Sequence, residues 1–395
     1  MFILLLLVLL LPELYIWHNF IRGAHWLLQL LFWLPYAATV VLMILFNSPY
    51  NQAWMFRWGV YMILCFAIPK VLFMLVSLVG LGLRGFSPMA WRTANIAGLL
   101  LALAVVGIVV YGLSAGWRRL TVKEVELKFH DLPSAFDGYR IVHVSDMHIG
   151  TYHADPEVVS RIVDKINALQ PDMICFTGDL VNSSPSELDM FDADLARLKA
   201  SDGVFSIMGN HDYCMYNRHK SQAERMAEIK ELQSRQRSYG WHLLLNEHRA
   251  VHHDGDSIAV VGVENSSRPP FPDYGNLPKA LQVKGGKLPE FKILLSHDPT
   301  HWRREVLQKS DIQLQLSGHT HATQFCLFGW TPARFVYDEY AGLYEAQDGK
   351  TGAVSEKSQH ASSRKLYICT GTGGNVTFRF GAWPEIVLIK LKGAN

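Results

Sequence analysis

Ile141-Val142-His143-Val144-Ser145-Asp146-Met147-His148 is the stretch on which the reading of this chain turns. Its first four residues have the composition of a short buried strand. Asp146 and His148, two residues apart where that strand ends, can turn toward one point and form half of a metal site. Four later clusters also follow apolar runs: Gly178-Asp179, Gly209-Asn210-His211-Asp212, His297-Asp298 and Gly318-His319-Thr320-His321. In an open α/β sheet the carboxyl ends of the strands share an edge, so clusters far apart in sequence can converge there. Gly178, Gly209 and Gly318 let the chain turn sharply at that edge.

Between the clusters, strand and helix patterns alternate. Tyr139–Val144, Met173–Thr177 and Val204–Met208 read as strands, and Pro156–Leu169 and Ser186–Ala200 as helices. Such alternation predicts a mainly parallel sheet covered by helices. A longer helix is expected over Gln222–Ser238, packed through Met226, Ile229 and Leu232 and stopped by Gly240. Strands follow at Trp241–Leu245, Ser257–Val263, Phe291–Leu295, Ile312–Leu316, Leu366–Cys369 and Ile386–Leu391, and Thr121–Phe129 alternates as a half-exposed first strand. The polar run Glu345–Arg364 reads as a surface loop.

The first third has another character. Residues 1–113 hold one acid, Glu13, and five bases, Arg22, Arg57, Lys70, Arg84 and Arg92, in nearly unbroken apolar sequence. A span needs roughly 20 apolar residues. Four stretches qualify: Met1–Trp17, Trp26–Phe46, Trp54–Gly80 and Ala94–Leu113, with Trp17, Trp26, Tyr50, Trp54, Trp91 and Trp117 as an aromatic belt. The first lacks a basic lead and a cleavage site, and is expected to stay as a helix rather than leave as a signal peptide. The division is therefore a membrane region over 1–113, a basic link over 114–120 and a catalytic domain over 121–395. Arg118, Arg119, Lys123 and Lys128 after the last span place that domain on the cytoplasmic side of an inner or plasma membrane.

The remaining residues carry 32 Lys/Arg against 34 Asp/Glu, which excludes a strongly basic face for nucleic acid. Cys65, Cys175, Cys214, Cys326 and Cys369 form no CxxC pair, in keeping with a reducing compartment. Cys175 and Cys369 read as core. A transporter is disfavoured because Glu13 and Lys70 are the only mid-span charges and look unpaired.

The donor set of carboxylates, imidazoles and one amide oxygen favours Mn, Fe or Zn. It exceeds the needs of one tetrahedral ion and fits two ions sharing a carboxylate, a common device for phosphoryl hydrolysis.

In order and spacing, SDMH, GDLVN, GNHD, SHDP and GHTH resemble the calcineurin-like metallophosphoesterase superfamily over about Tyr139 to Leu391, most closely its membrane-anchored bacterial members. The resemblance implies an α/β fold, a four-layer αββα sandwich of two mixed sheets flanked by helices. It implies that Asp146, His148, Asp179 and His321 hold one metal and Asp179, Asn210, His297 and His319 the other, with Asp179 bridging. It further implies that His211 holds the phosphate and helps protonate the leaving group, with Asp212 orienting it. Tyr367–Gly374, Arg379 and Pro384-Glu385-Ile386 resemble the family's last strands. Asn182, and Ala322-Thr323 before Gln324, depart from its common GDxxD and GHTHGGQ patterns.

Taken singly, His143 and His153 read as structural, Asp298 as an orienting group, and Asn182 as either a turn residue or an orienting contact. Arg303-Arg304 reads as a solvated pair. The expectation is a binuclear hydrolase of a phosphomonoester, phosphodiester or pyrophosphate at the bilayer. A lipid-linked substrate such as UDP-2,3-diacylglucosamine joins the catalytic and membrane features. The rival class is a metal-binding membrane sensor or scaffold without turnover.

Overall fold

The computed structural model describes residues 2–48, 53–152, 155–216, 220–283, 285–347, 350–354, 360 and 363–394. His153, Tyr50 and parts of Glu345–Arg364 lie outside them. The chain forms two compact units, Met1–Ala115 and Gly116–Asn395.

The first unit is helical: α1 Phe2–Ile16, α2 Trp26–Phe46, α3 Ala53–Met62, α4 Ile68–Gly82 and α5 Pro88–Ser114. Pro69 has no N–H for the carbonyl four residues back, and a π turn over Ile63–Ala67 joins α3 to α4 into one apolar rod. Among the described residues, three helices are long and apolar enough to cross a membrane: Trp26–Phe46, Trp54–Gly82 and Met89–Arg118. The first apolar helix is shorter, its apolar part covering Leu6–Ile21 among the described residues. Glu13 and Lys70, read as unpaired, are in fact partners. Lys70 Nζ donates to both carboxylate oxygens at 2.9 and 2.7 Å and to the Phe32 carbonyl at 3.3 Å. Its three donors are thus all used. The spacing of 57 residues hid this pair, which joins α1 to α4.

The second unit holds two mixed sheets. Strands β1 Thr121–Phe129, β2 Arg140–Val144, β3 Met173–Phe176, β4 Val204–Ser206, β5 His242–Leu243, β6 Glu247–His253 and β7 Asp256–Gly262 come first. They are followed by β8 Lys292–Leu295, β9 Leu314–Ser317, β10 Gly342–Gln347, β11 Lys350–Ala353, β12 Arg364–Ile368 and β13 Glu385–Gly393. One sheet runs β1-β13-β2-β3-β4-β5 and the other β11-β10-β12-β9-β8-β7-β6. Between them lie Ile141, Cys175, Ile293, Leu316 and Cys369. Helices α6 Glu157–Ala168, α7 Asp192–Leu195 and α8 Gln222–Ser238 flank the first sheet through Val159, Ile162, Leu195 and Leu232. Trp302, Val306 and Leu277 cover the other face of the second sheet. The result is the four-layer αββα arrangement.

Several expectations need correction. The helix over Ser186–Ala200 is instead a 3-10 turn, Pro185–Leu188, and the short α7. The Glu187 carboxylate gathers the N–H groups of Asn182, Ser183 and Ser184 (2.6, 2.9 and 3.2 Å), so the chain winds around a side chain there. Met226 is exposed, leaving Ile229 and Leu232 to pack α8. The linker is partly buried through Gly116 and Trp117. Within Glu345–Arg364 lie half of β10 and all of β11, and its polarity concealed a buried ion pair, Lys365 Nζ to Glu345 Oε1 at 3.0 Å. Strand β6, Glu-His-Arg-Ala-Val-His-His, escaped notice because it is a polar edge strand.

Candidate metal centre

Five strands of the two sheets, β2, β3, β4, β8 and β9, each deliver one cluster just past their carboxyl ends. Asp146 and His148 follow β2, Asp179 follows β3, and Asn210 and His211 follow β4, while His297 follows β8 and His319 and His321 follow β9. Asp146, His148, Asp179, His319 and His321 all adopt positive φ, between 46° and 73°. L-residues avoid this conformation, and its recurrence at one place marks a functional concentration of strain. A Cβ at Gly209 would collide with Asp179, and one at Gly318 with Ser145 and Asp146, so these turns admit no side chain.

The side chains meet in three groups whose potential ligand atoms lie within 4.8 Å of one another: Asp146, His148 and His321; His148, Asp179 and His211; and Asp179, His297 and His319. Asp179 belongs to two of them. His148 Nε2 lies 3.2 Å from His321 Nε2, and His297 Nε2 lies 3.2 Å from Asn210 Oδ1 and 3.3 Å from His319 Nδ1. His319 Nε2 is buried without a hydrogen-bond partner. Imidazole nitrogens facing one another in a buried site fit cations better than they fit one another.

Electrostatics agree with that fit. Burial, with His211 adding repulsion, pulls His148 down to about 3, and burial takes His319 down to about 4. Burial, His148 and Arg379 likewise hold His321 well below its ordinary value. These rings are neutral near pH 7. Burial and the neighbouring Asp179 raise Asp146 to about 6. For Asp179 burial acts in the opposite sense, yet His297 and His211 hold it well below the carboxylate range. Burial also opposes charge on His297, but Asp179 and Asp146 push it up to about 10. A proton on His297 thus offsets part of the carboxylate charge of Asp179 and Asp146.

Surrounding contacts fix the orientations. His148 Nδ1 lies 3.1 Å from Asn182 Oδ1, and Asn182 Nδ2 donates to Thr151 Oγ1 at 3.0 Å, which makes Asn182 an orienting contact. His297 Nδ1 donates to the Thr177 carbonyl at 2.7 Å. Asp298 carboxylate lies 3.8 Å from His319 Nε2 and accepts from Thr300 N–H at 2.8 Å. His143 is buried against Thr177 Oγ1 at 3.0 Å, a structural histidine.

Asp212 differs from expectation. Its carboxylate accepts the N–H groups of Asp179, Leu180, Val181 and Gly209, and so ties the β3 turn to the β4 turn instead of holding the His211 ring. That ring is held by the Asn182 carbonyl, 2.6 Å from Nδ1, and by Asn375 Nδ2, 3.2 Å from Nε2. Arg303 and Arg304 are likewise paired, with Glu339 at 2.6 Å and with Ser266 Oγ at 2.9 Å.

Sequence reasoning missed Asn375, Tyr216, Phe271 and Tyr337. Tyr216 stacks on His211 with ring centres 4.1 Å apart, and its hydroxyl accepts from Asn210 Nδ2 at 2.8 Å, turning the amide oxygen toward the cluster. Phe271 and Tyr337 meet the His319 ring edge-on at 4.8 and 5.8 Å. Only Asn375 adjoins a stretch singled out in the sequence, Tyr367–Gly374, through its resemblance to the family's last strands; the aromatics lie in loops whose composition resembles any other.

A calcineurin-like phosphoesterase family model matches residues 139–323. The chain is 31% identical over 304 residues to a transmembrane protein with metallophosphoesterase domain from Danio rerio, covering 75% of this chain and 63% of that one. It therefore spans less than two thirds of that relative. It is 29% identical over 317 residues to the uncharacterized metallophosphoesterase YkuE of Bacillus subtilis, covering 77% of this chain and 98% of YkuE. UDP-2,3-diacylglucosamine pyrophosphatase LpxG of Chlamydia trachomatis is 28% identical over 304 residues, covering 66% of this chain and 86% of LpxG. The motifs at the strand ends, the two-sheet fold and these relatives agree: the chain belongs to the calcineurin-like metallophosphoesterase superfamily.

Proposed function

We propose that this protein is a membrane-anchored hydrolase of phosphoester or pyrophosphate bonds that works with two divalent metal ions. The observation that carries the reading is one Asp179 carboxylate oxygen, Oδ2, lying 3.6 Å from His148 Nε2 after β2 and 3.2 Å from His297 Nε2 after β8, between clusters drawn from both sheets. In this reading Asp146, His148, Asp179 and His321 hold one ion, and Asp179, Asn210, His297 and His319 the other. Oxygen and nitrogen donors without thiolate favour Mn, with Fe or Zn as alternatives. When bound, the ions supply charge neutralisation at phosphorus and acidify water.

The chain's own groups do the rest. His211 sits beside His148 and Asp179 and presents Nε2 as the atom that holds a phosphoryl oxygen or passes a proton to the leaving oxygen. The Asn182 carbonyl accepts from Nδ1 and fixes the ring. The Asn375 carboxamide can serve Nε2 in either protonation state by turning its amide. Asp212 acts through the backbone, keeping the turn that carries Asp179 against the turn that carries Asn210.

The substrate in this reading is lipid-linked, of the UDP-diacylglucosamine kind. The named activity of LpxG supports it, as do the three long apolar helices. So do Phe328, Trp330, Phe335 and Val336, exposed on a loop that leads into Tyr337 against His319. Arg118, Arg119, Lys123 and Lys128 after α5 favour a multi-pass protein with the hydrolase unit in the cytoplasm.

Purified protein with Mn²⁺ should hydrolyse an aryl phosphodiester, and Asp179→Asn should reduce the rate by at least roughly 10²-fold, the upper end of what perturbing a metal's ligand environment costs. Equal rates in the two proteins would refute the assignment. Two bound metals per chain with no turnover of any phosphoester would indicate a sensor or scaffold. Mass spectrometry of a lipid extract treated with the enzyme then names the leaving group.

A further inference from the structure

A cavity of about 360 Å³ lies within the Gly116–Asn395 unit, lined by residues that include Trp117, Arg118, Arg119, Arg161, Lys165 and Thr372. None of these is among the metal-centre residues. Four bases line it. Asp155 and Glu157 neutralise two of them, through Arg118 at 2.9 Å and Arg161 at 3.6 and 3.4 Å. Arg119 and Lys165 reach no carboxylate among the described residues; the Arg119 guanidinium rests over the Trp383 ring at 4.7 Å. The cavity therefore carries uncompensated positive charge.

A second, independent observation points to a ligand. Thr372 is 1% exposed, and its Oγ1 is buried without a hydrogen-bond partner. A buried unsatisfied hydroxyl costs about 1–3 kcal/mol, and Thr372 is part of this cavity's wall. The rest of the lining is apolar, with Trp117 as its largest member, so the site is suited to an amphipathic anion. Its volume lies in the range typical of small-molecule sites.

Chain connectivity identifies the source of that anion. Helix α5 ends at Ser114, and Arg119 follows five residues later. Five residues span at most about 18 Å, which keeps Arg118 and Arg119 within headgroup distance of the end of the apolar helix. We propose that this cavity binds the phosphate of an anionic phospholipid, with Arg119, Lys165 and the Thr372 hydroxyl as its ligands and Trp117 against the glycerol. Basic clusters next to a span are attracted to anionic lipid by about 1 kcal/mol per side chain.

Native mass spectrometry of the full chain in detergent micelles, with phosphatidylglycerol or phosphatidylcholine added, tests this. The wild type should retain phosphatidylglycerol about tenfold more strongly than phosphatidylcholine, and Arg119→Glu with Lys165→Glu should abolish the preference. Lys165→Arg should keep it. Unchanged hydrolysis of a soluble aryl phosphodiester shows that the double variant is folded; if it is not, Arg119→Gln with Lys165→Gln takes its place. Equal retention of both lipids, or a preference that survives charge reversal, would overturn the proposal. Binding of inorganic phosphate alone at this site, with the lipid adding nothing, would overturn the lipid assignment in favour of a soluble anion.

Discussion

His143 shows how one side chain ties stability to pH without touching the chemistry. Fully buried, it is depressed from the usual imidazole value of 6.5 to about 3. The fold therefore keeps it neutral while the unfolded chain takes up a proton below about pH 6.5. Its contribution is complete above that value and is lost as pH falls, by about 1.4 kcal/mol per unit. Between pH 7 and 4.5, His143→Gln should lose about 2–3 kcal/mol less stability than the wild type, read from unfolding midpoints of both proteins. Parallel pH curves would show that the site is not neutral in the fold. At this scale Asp146, His148, Asp179, His297, His319 and His321 were legible because each closes an apolar run. The partners of Asp212 were not, since a carboxylate that gathers four backbone N–H groups leaves no trace in residue spacing.

Among the elements, those with a periodic apolar face were legible and those whose stability is polar were not. The residues of β3, Met-Ile-Cys-Phe, are all buried and read as a strand at once. β10 and β12 are joined at Glu345 and Lys365, whose ion pair also collects the Ser363 hydroxyl at 2.8 Å from Nζ. Removing one partner strands the other charge in the core. Lys365→Ala should lower unfolding free energy by about 3–5 kcal/mol, and Lys365→Met with Glu345→Leu should recover most of it. Denaturant titration distinguishes the two, and a single variant within experimental error of wild type would mean that the pair is solvated. The helix expected over Ser186–Ala200 failed for a related reason: its acids face Arg235, which Asp189 and Asp192 approach to 2.7 and 3.3 Å, and not a repeating solvent face.

At the scale of the molecule, the helical unit has its own polar fastening. Glu13 is nearly buried, and Lys70 is its charge partner. Lys70→Ala should cost that unit about 3 kcal/mol, and adding Glu13→Gln should restore part of it, measured by unfolding in mixed micelles. No recovery in the double variant would separate the two residues energetically. In the other unit, β13 lies between β1 and β2, parallel to one and antiparallel to the other. Residues 385–393 thus complete the sheet from which Asp146 and Asp179 project. On the ribosome, the residues of every cluster from Asp146 to His321 are made before this strand exists. The edge of β2 therefore stays unpaired until residues 385–393 arrive, and the sheet that carries Asp146 and Asp179 closes only after all of those side chains are in place.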